Sequence, residues 1–471
     1  MLQRNLAASA ERRTCALCAF CVLALLFGLG YEGVFISLSQ DDLMNLHFGM
    51  REPFARLLLA NLFPFTTVFR PAGAALYVSL FEAVGFDPIS YRVVTYGILL
   101  LGCVALYRLV KELDGRATAA AFAPIFLVFH SGFLHIYSEN AYVYDPLCGA
   151  LFAATLLFYH QRRRHGPLRL RDAAILYLLW AATVNSKEMG LTLAVVLMAY
   201  EAVFSRPLAW RNFAWPGVLL GMSFVAWRGK IALGSPLYEH RSYQPSVDFA
   251  RLVAAAQQQL AEATLASTAT ISVVTVAVIL TLFVAVALAC RTKAALFGLL
   301  WALITPWPIL AIGGRPFSAL YVTWIGVAIV LGSVTAETVD RLKVPEKAKP
   351  FAVVVVAAFW ALAQWNDMGH RPSIQQAGAQ WEQVRDAIDD YAHIPGLCES
   401  NSVLVLDTRF GNDRYHPLFI AHLLCSRYET GIYIPGLNVS DEDADARFKE
   451  YDLVLRDHGQ DLEVVRHRRD P

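Results

Sequence analysis

The feature that most constrains this chain is a succession of apolar runs, each about 17 to 25 residues long, recurring from residue 14 to residue 366. Backbone that crosses a bilayer must satisfy its own hydrogen bonds, so runs of this length read as helices. They fall at roughly 14–34, 91–110, 118–135, 143–160, 172–186, 189–205, 213–229, 268–290, 294–312, 318–336 and 350–366. The pattern predicts a polytopic α-helical membrane protein with about eleven transmembrane helices. Composition agrees, since 56% of residues are hydrophobic and only 17% charged, below the quarter or so typical of soluble domains. Lys and Arg (40) nearly balance Asp and Glu (39), so nothing points to nucleic acid as a partner; the lipid bilayer is the expected surrounding.

Orientation follows from where short loops concentrate Lys and Arg. Arg4, Arg12 and Arg13 keep the N-terminus cytoplasmic, and the first run reads as a retained helix rather than a cleaved signal peptide. Taking the spans in turn puts Lys111 and Arg116, Arg162 to Arg164 with Arg169 and Arg171, Arg206 and Arg211, Arg291 and Lys293, and Arg341 to Lys349 on the inner side. Counting residues 72–86 as another span would invert every cluster from Lys111 onward. Residues 52–86 therefore read as amphipathic or re-entrant helices at the outer interface.

Two outer loops result, at about 35–90 and 230–267, the second carrying the polar helical stretch ARLVAAAQQQLAEA. Residues 1–366 form the expected transmembrane domain. Residues 367–471 read as a small soluble α/β domain on the extracytoplasmic side, with a helix around QWEQVRDAIDDYA and strands in SVLVLD and YDLVLRD. A bacterial inner membrane with this domain at the periplasmic face is the expected setting. Of eight cysteines, Cys15, Cys18, Cys21, Cys103, Cys148 and Cys290 lie in or beside apolar runs and read as small packing residues. Cys398 and Cys425 lie in the polar C-terminal region and can pair in an oxidising compartment.

Several ionisable residues stand at the outer ends of these spans. Asp41-Asp42, in SLSQDDLMNLH, are adjacent carboxylates that repel each other, which suits a site needing concentrated negative charge. One can act as a general base on an acceptor hydroxyl while the other orients it or binds a divalent cation. The structural alternative is a helix cap, for which Ser39 and Asp41 are both suited. Arg70-Pro71 offers a planar fork matched to phosphate, or else a headgroup anchor. Glu139 and Asp145 flank the junction of the third and fourth spans, with Asp145 either capping a helix or facing the acidic pair. Lys187-Glu188, in VNSKEMG, sits between two apolar runs, where ionisable groups are costly unless paired or wet. It reads as a lysine that meets an anionic donor, steadied by Glu188, or as a mutual salt bridge. Arg315-Pro316, after two glycines, repeats the arginine-proline pattern of Arg70.

In Asp41-Asp42, FRPAGAALY (69–77), SYRVVTYGILLLGCVALYRLV, Asp145, NSKEMGLTL (185–193) and GGRPFSALYVTWIG (313–326), the chain resembles the GT-C superfamily of glycosyltransferases. It is similar in style to protein O-mannosyltransferases and the aminoarabinose and undecaprenyl-sugar transferases. The resemblance implies transfer of a sugar from a polyprenyl phosphate donor to an acceptor (protein, lipid or polysaccharide) on the extracytoplasmic side. It implies that Asp41 or Asp42 is the base, and that Lys187, Arg315 and Arg70 neutralise the departing phosphate, with Asp145, Glu188 and Glu139 in support. The donor brings its own activated bond, so no cofactor is expected beyond a divalent cation at Asp41-Asp42. The acidic pair departs from the Asp-Glu typical of protein O-mannosyltransferases. The competing readings are a transporter or lipid flippase with Lys187-Glu188 as a buried coupling pair, an O-antigen polymerase or ligase acting through a late outer loop, and a non-catalytic scaffold.

Overall fold

The computed structural model describes residues 2–63, 68, 70–205, 207–232, 246, 248–266, 271–312, 314–410, 414–458 and 461–467. All eleven apolar runs coincide with helix, but only six helices are long and apolar enough to cross a membrane, or seven if one bent pair counts as a span. The count of eleven is therefore not reached by length and composition. The shortfall has local causes: the runs at 172–186 and 268–290 form helices of only 17 residues, Leu170–Ser186 and Val273–Ala289. The run at 189–205 spends its first turn as a 3-10 segment, Glu188–Thr192.

The first helices in chain order are α1 (Leu2–Gly30), α2 (Gln40–Met50), α3 (Phe54–Ala60), α4 (Pro71–Val84), α5 (Pro88–Asp114), α6 (Ala117–Val128), α7 (Leu134–Ser138), α8 (Tyr144–Arg163), α9 (Leu170–Ser186) and α10 (Leu193–Phe204). At the centre of the bundle lies α6, buried at every position from Thr118 to Val128. A helix apolar all round can only be a core element or lie in lipid. It breaks after Val128, and the chain resumes at an angle of 47° through Ser131–Ser138. The ambiguous apolar segment is the 14-residue α4, too short to cross.

One end of the bundle is stitched by charge. Arg116 bridges Asp114, Glu337 and Asp340, Lys349 reaches Asp340, Lys111 reaches Glu11, and Arg164 pairs with Glu112. Loops assigned to one side by their basic residues thus meet at one end. The site described below lies at the opposite ends of α5, α8 and α9.

After the helix Lys349–Met368 the chain forms Glu382–Ala392 and then a four-stranded sheet in the order β2-β1-β3-β4: β1 (Ser402–Leu406), β2 (Gly431–Tyr433), β3 (Leu453–His458) and β4 (Asp461–His467). Parallel neighbours need crossovers, and His416–Cys425 carries the chain from β1 to β2. Strand alternation gives the sheet two apolar faces. Leu404 and Val454 face Ala444 and Tyr451, whereas Val403, Val405, Leu453 and Leu455 share a core with Phe419, Ile420, Tyr77 and, on α2, Leu43 and Leu46. The C-terminal unit is therefore packed onto the outer-loop helices. Cys398 and Cys425 form a disulfide, while Cys18, Cys21, Cys103, Cys148 and Cys290 are buried free thiols and Cys15 is exposed.

Candidate active site

The acidic pair is split by the helix it begins. Ser39 caps α2, its hydroxyl accepting from the Asp42 amide at 3.2 Å, and Asp42 returns the bond by accepting from the Ser39 amide at 2.7 Å. This reciprocal box satisfies donors that a helix start leaves open. Asp42 Oδ2 also accepts from the Ser39 hydroxyl (3.0 Å), and Oδ1 accepts from the Tyr77 hydroxyl (2.7 Å). Asp42 is fully buried, whereas Asp41, one residue earlier on the turn, is exposed. Burial raises the Asp42 carboxyl above its usual range, an effect opposed by the Arg92 charge and by the Ser39 and Tyr77 donors. Burial and the neighbouring carboxylate push the Tyr77 hydroxyl well above its ordinary value, so it stays a donor.

This geometry bears on a cation. Asp42 is buried with both oxygens accepting hydrogen bonds, whereas Asp41 is exposed. Among the described residues no group of three His, Cys, Asp or Glu side chains could hold a metal ion.

Lys187 and Glu188 do not pair with each other. At the end of α9 the backbone of Lys187 turns extended, sending its ammonium to Asp145 at the start of α8, while Glu188 grips Arg70. The Arg70 contact is two-pronged, Nη2 to Oε2 at 2.8 Å and Nε to Oε1 at 3.3 Å. Gly190 makes the turn possible, because a Cβ there would lie 2.5 Å from the Thr183 carbonyl oxygen. Asn185 secures the same turn by donating to the carbonyls of Ala60 and Asn61 at the end of α3.

Arg70 adopts left-handed backbone, φ 43° and ψ 61°, an uncommon state for a residue with a Cβ and one that collects at functional sites. Its guanidinium lies 5.1 Å from the centre of the Tyr144 ring. The Glu188 carboxylate raises its pKa further above the ordinary arginine value despite burial, so Arg70 is a permanent cation. Gly73 lets α4 press against Tyr144, since a Cβ at that point would overlap the ring.

The remaining residues gather around Tyr142, which lies in the electrostatic reach of Glu139, Asp145, Asp41 and Arg315. The Glu139 carboxylate accepts from the His135 ring nitrogen Nδ1 at 2.7 Å. Arg315 follows Gly314, and its carbonyl accepts from Gln259 (2.7 Å) on the helix Phe249–Ala263. That helix is the polar stretch expected in the second outer loop; residues 233–245, 247 and 267 of that loop, like Phe69, Arg206 and Gly313, lie outside the described residues. The eight predicted residues thus lie near Tyr77, Tyr142 and Tyr144.

Sequence reasoning missed four participants. Tyr77 holds Asp42, and His47 and His422 join α2 to the C-terminal unit. The fourth is Arg92, fully buried in α5 beside Asp42, Tyr77, Tyr96 and Glu139, with no hydrogen bond from its three side-chain nitrogens to any described residue. A signal existed for it: a lone arginine inside the run SYRVVTYGILLLG is an intramembrane charge, which calls for a function.

No protein-family model and no curated protein matches the sequence. Solved structures do match it in fold. The archaeal oligosaccharyltransferase AglB from Archaeoglobus fulgidus, in complex with an inhibitory peptide and a dolichol-phosphate, aligns with a TM-score of 0.52 at 14% identity over 97% of this chain and 70% of that one. ArnT from Cupriavidus metallidurans, bound to undecaprenyl phosphate, aligns with a TM-score of 0.52 at 12% identity over 95% of this chain and 96% of that one.

Proposed function

We propose that this protein is a membrane glycosyltransferase that moves a sugar from a polyprenyl phosphate donor to an acceptor hydroxyl or amide on the extracytoplasmic side. The observation that carries the reading is the exposed carboxylate Asp41 and the cations Arg70, Lys187 and Arg315 around Tyr142 and Tyr144 at one end of the helical bundle. The AglB and ArnT structures were each solved with a polyprenyl-type phosphate, which supports a lipid-linked donor.

In this reading the acceptor attacks the anomeric carbon of the donor sugar and gives its proton to the Asp41 carboxylate. The bond from that carbon to the phosphate oxygen breaks, and the electron pair leaves with the polyprenyl phosphate. Lys187, Arg70 and Arg315 oppose the growing phosphate charge, and such preorganised charges act most strongly where water is excluded. Asp145 and Glu188 hold two of these cations in place. Asp42 is the internal prop of α2 rather than a second base, because its oxygens are already committed to Ser39 and Tyr77.

Reconstitution with radiolabelled polyprenyl-phosphate sugars tests this. Asp41→Asn should lower transfer by about 10²-fold or more, and Asp42→Asn, which keeps an acceptor oxygen, should lower it less. Full transfer by both variants would sink the assignment. Donor accumulation across the membrane without glycoside formation would favour the flippase reading instead.

A further inference from the structure

The helix that begins with the acidic pair ends, two turns later, against the C-terminal unit. His47 is buried, and its Nε2 lies 2.9 Å from Nδ1 of His422, with the two ring planes 13° apart. His422 Nε2 lies 2.8 Å from the Thr430 carbonyl oxygen. A carbonyl only accepts, so His422 must carry its proton on Nε2, which leaves Nδ1 as a lone-pair acceptor. His47 must then carry its proton on Nε2 and donate it to His422. One carbonyl thus dictates both tautomers.

The pair sits in an aromatic box of Phe48, Phe419 and Tyr428. The charged groups around it are Arg51 on α2, and Glu82 on α4, which reaches Tyr428. On His416–Cys425 the other titratable side chain, His416, stacks on Phe410. Arg51 opposes an added proton on either ring, and one placed on His422 Nδ1 destroys the bond. Cys425, three residues after His422, ties this helix to Cys398.

We infer that His422 is a positioning residue for the transfer proposed above: through its bond to His47, the C-terminal unit fixes the rotation and axial position of α2, and so the place of Asp41. The inference rests on Asp41 being the base. The His47–His422 bond, Leu43 and Leu46 hold one side of α2 against the C-terminal unit, and the Ser39–Asp42–Tyr77 contacts hold its start. Loss of the bond leaves the helix anchored at its start and at its apolar contacts but free to rotate at His47. A small displacement of a reacting group is costly, on the order of 10²-fold for 1 Å.

The test uses the full chain in lipid nanodiscs, comparing wild type, His422→Ala and His422→Gln. A glutamine can donate to the Thr430 carbonyl and accept from His47, and it does not titrate. His422→Ala should lower kcat by about tenfold or more with the donor KM unchanged. His422→Gln should restore kcat to within about threefold. It should also move the acidic fall in rate, expected below pH 6.5 in wild type because burial lowers the His422 imidazole, to lower pH. Hydrogen exchange of residues 40–50 should rise in the alanine variant and stay at the wild-type level in the glutamine variant. A folded alanine variant with unchanged kcat and exchange overturns the inference, as does a glutamine variant with an unshifted pH profile. If wild type transfers no sugar, the functional reading fails, and the exchange measurement alone still decides whether His422 holds α2.

Discussion

The two ends of the bundle use the same residue type in opposite ways. At one end Arg116 has all three side-chain nitrogens engaged, by both oxygens of Asp114, by Glu337, by Asp340 and by the Ser333 carbonyl. Arg163 is treated alike, held by both oxygens of Glu201 and by the Gly166 carbonyl. At the other end Arg92 is more deeply buried than either, yet it makes no hydrogen bond with a described residue. Saturated arginines lock helix ends together. An arginine held dry beside Asp42 acts instead through its field. The first arrangement serves stability, and the second leaves one end of the molecule electrostatically poised.

Breaking the saturated end should give the largest effect. Arg163→Met leaves Glu201, which is 0% exposed, without its cation, and should cost about 3–5 kcal/mol of stability, with transfer per folded molecule unchanged. Thermal unfolding in detergent alongside a transfer assay checks both halves; a collapse of transfer in the folded fraction would erase the distinction between the ends. The mirror experiment removes Lys187 together with its partner. Lys187→Ala with Asp145→Asn leaves no lone buried charge, and should raise the transfer barrier by about 3 kcal/mol, on the order of 10²-fold in kcat, with little loss of stability. A rate near that of wild type would show that this ion pair is only structural.

Smaller perturbations sharpen the contrast. Tyr77→Phe deletes a hydrogen bond to a buried carboxylate and should cost about 1–3 kcal/mol, read as lower stability and weaker amide protection at the start of α2. Acidification acts on the histidine pair. Burial, then His422 and then Arg51, hold the His47 imidazole down at about 3, below the ordinary value near 6.5. Such a depressed cation contributes stability that is full above about pH 6.5 and is lost as pH falls toward the folded value. Stability should therefore drop by about 1 kcal/mol between pH 7 and pH 5.5, and His47→Gln should flatten that slope. An unchanged slope would place the titration elsewhere.

The outline of the fold was legible because the membrane constraint is severe: the apolar runs became helix, and residues 72–86 lie in the 14-residue α4, too short to cross. The residue types of the site were legible for the same reason, since charges at span ends stand out against an apolar background. Their partners were not. Lys187 meets Asp145, 42 residues away, and Arg70 meets Glu188, 118 residues away, pairings set by how α4, α8 and α9 pack and by no local pattern. Adjacency was no guide to pairing, since Lys187 bonds Asp145 while its neighbour Glu188 bonds Arg70. In the C-terminal unit, SVLVLD and YDLVLRD read correctly as strands. The short crossover His416–Cys425 gave no warning that one of its histidines would reach α2.

That last contact spans 375 residues of chain. On a ribosome adding about 5–20 residues per second, α2 must therefore wait on the order of half a minute for its brace. Throughout that interval the bundle around it can assemble while the helix bearing Asp41 stays loosely held. The helix is thus in place before it is braced, and the step that braces it is the folding of the final hundred residues against it.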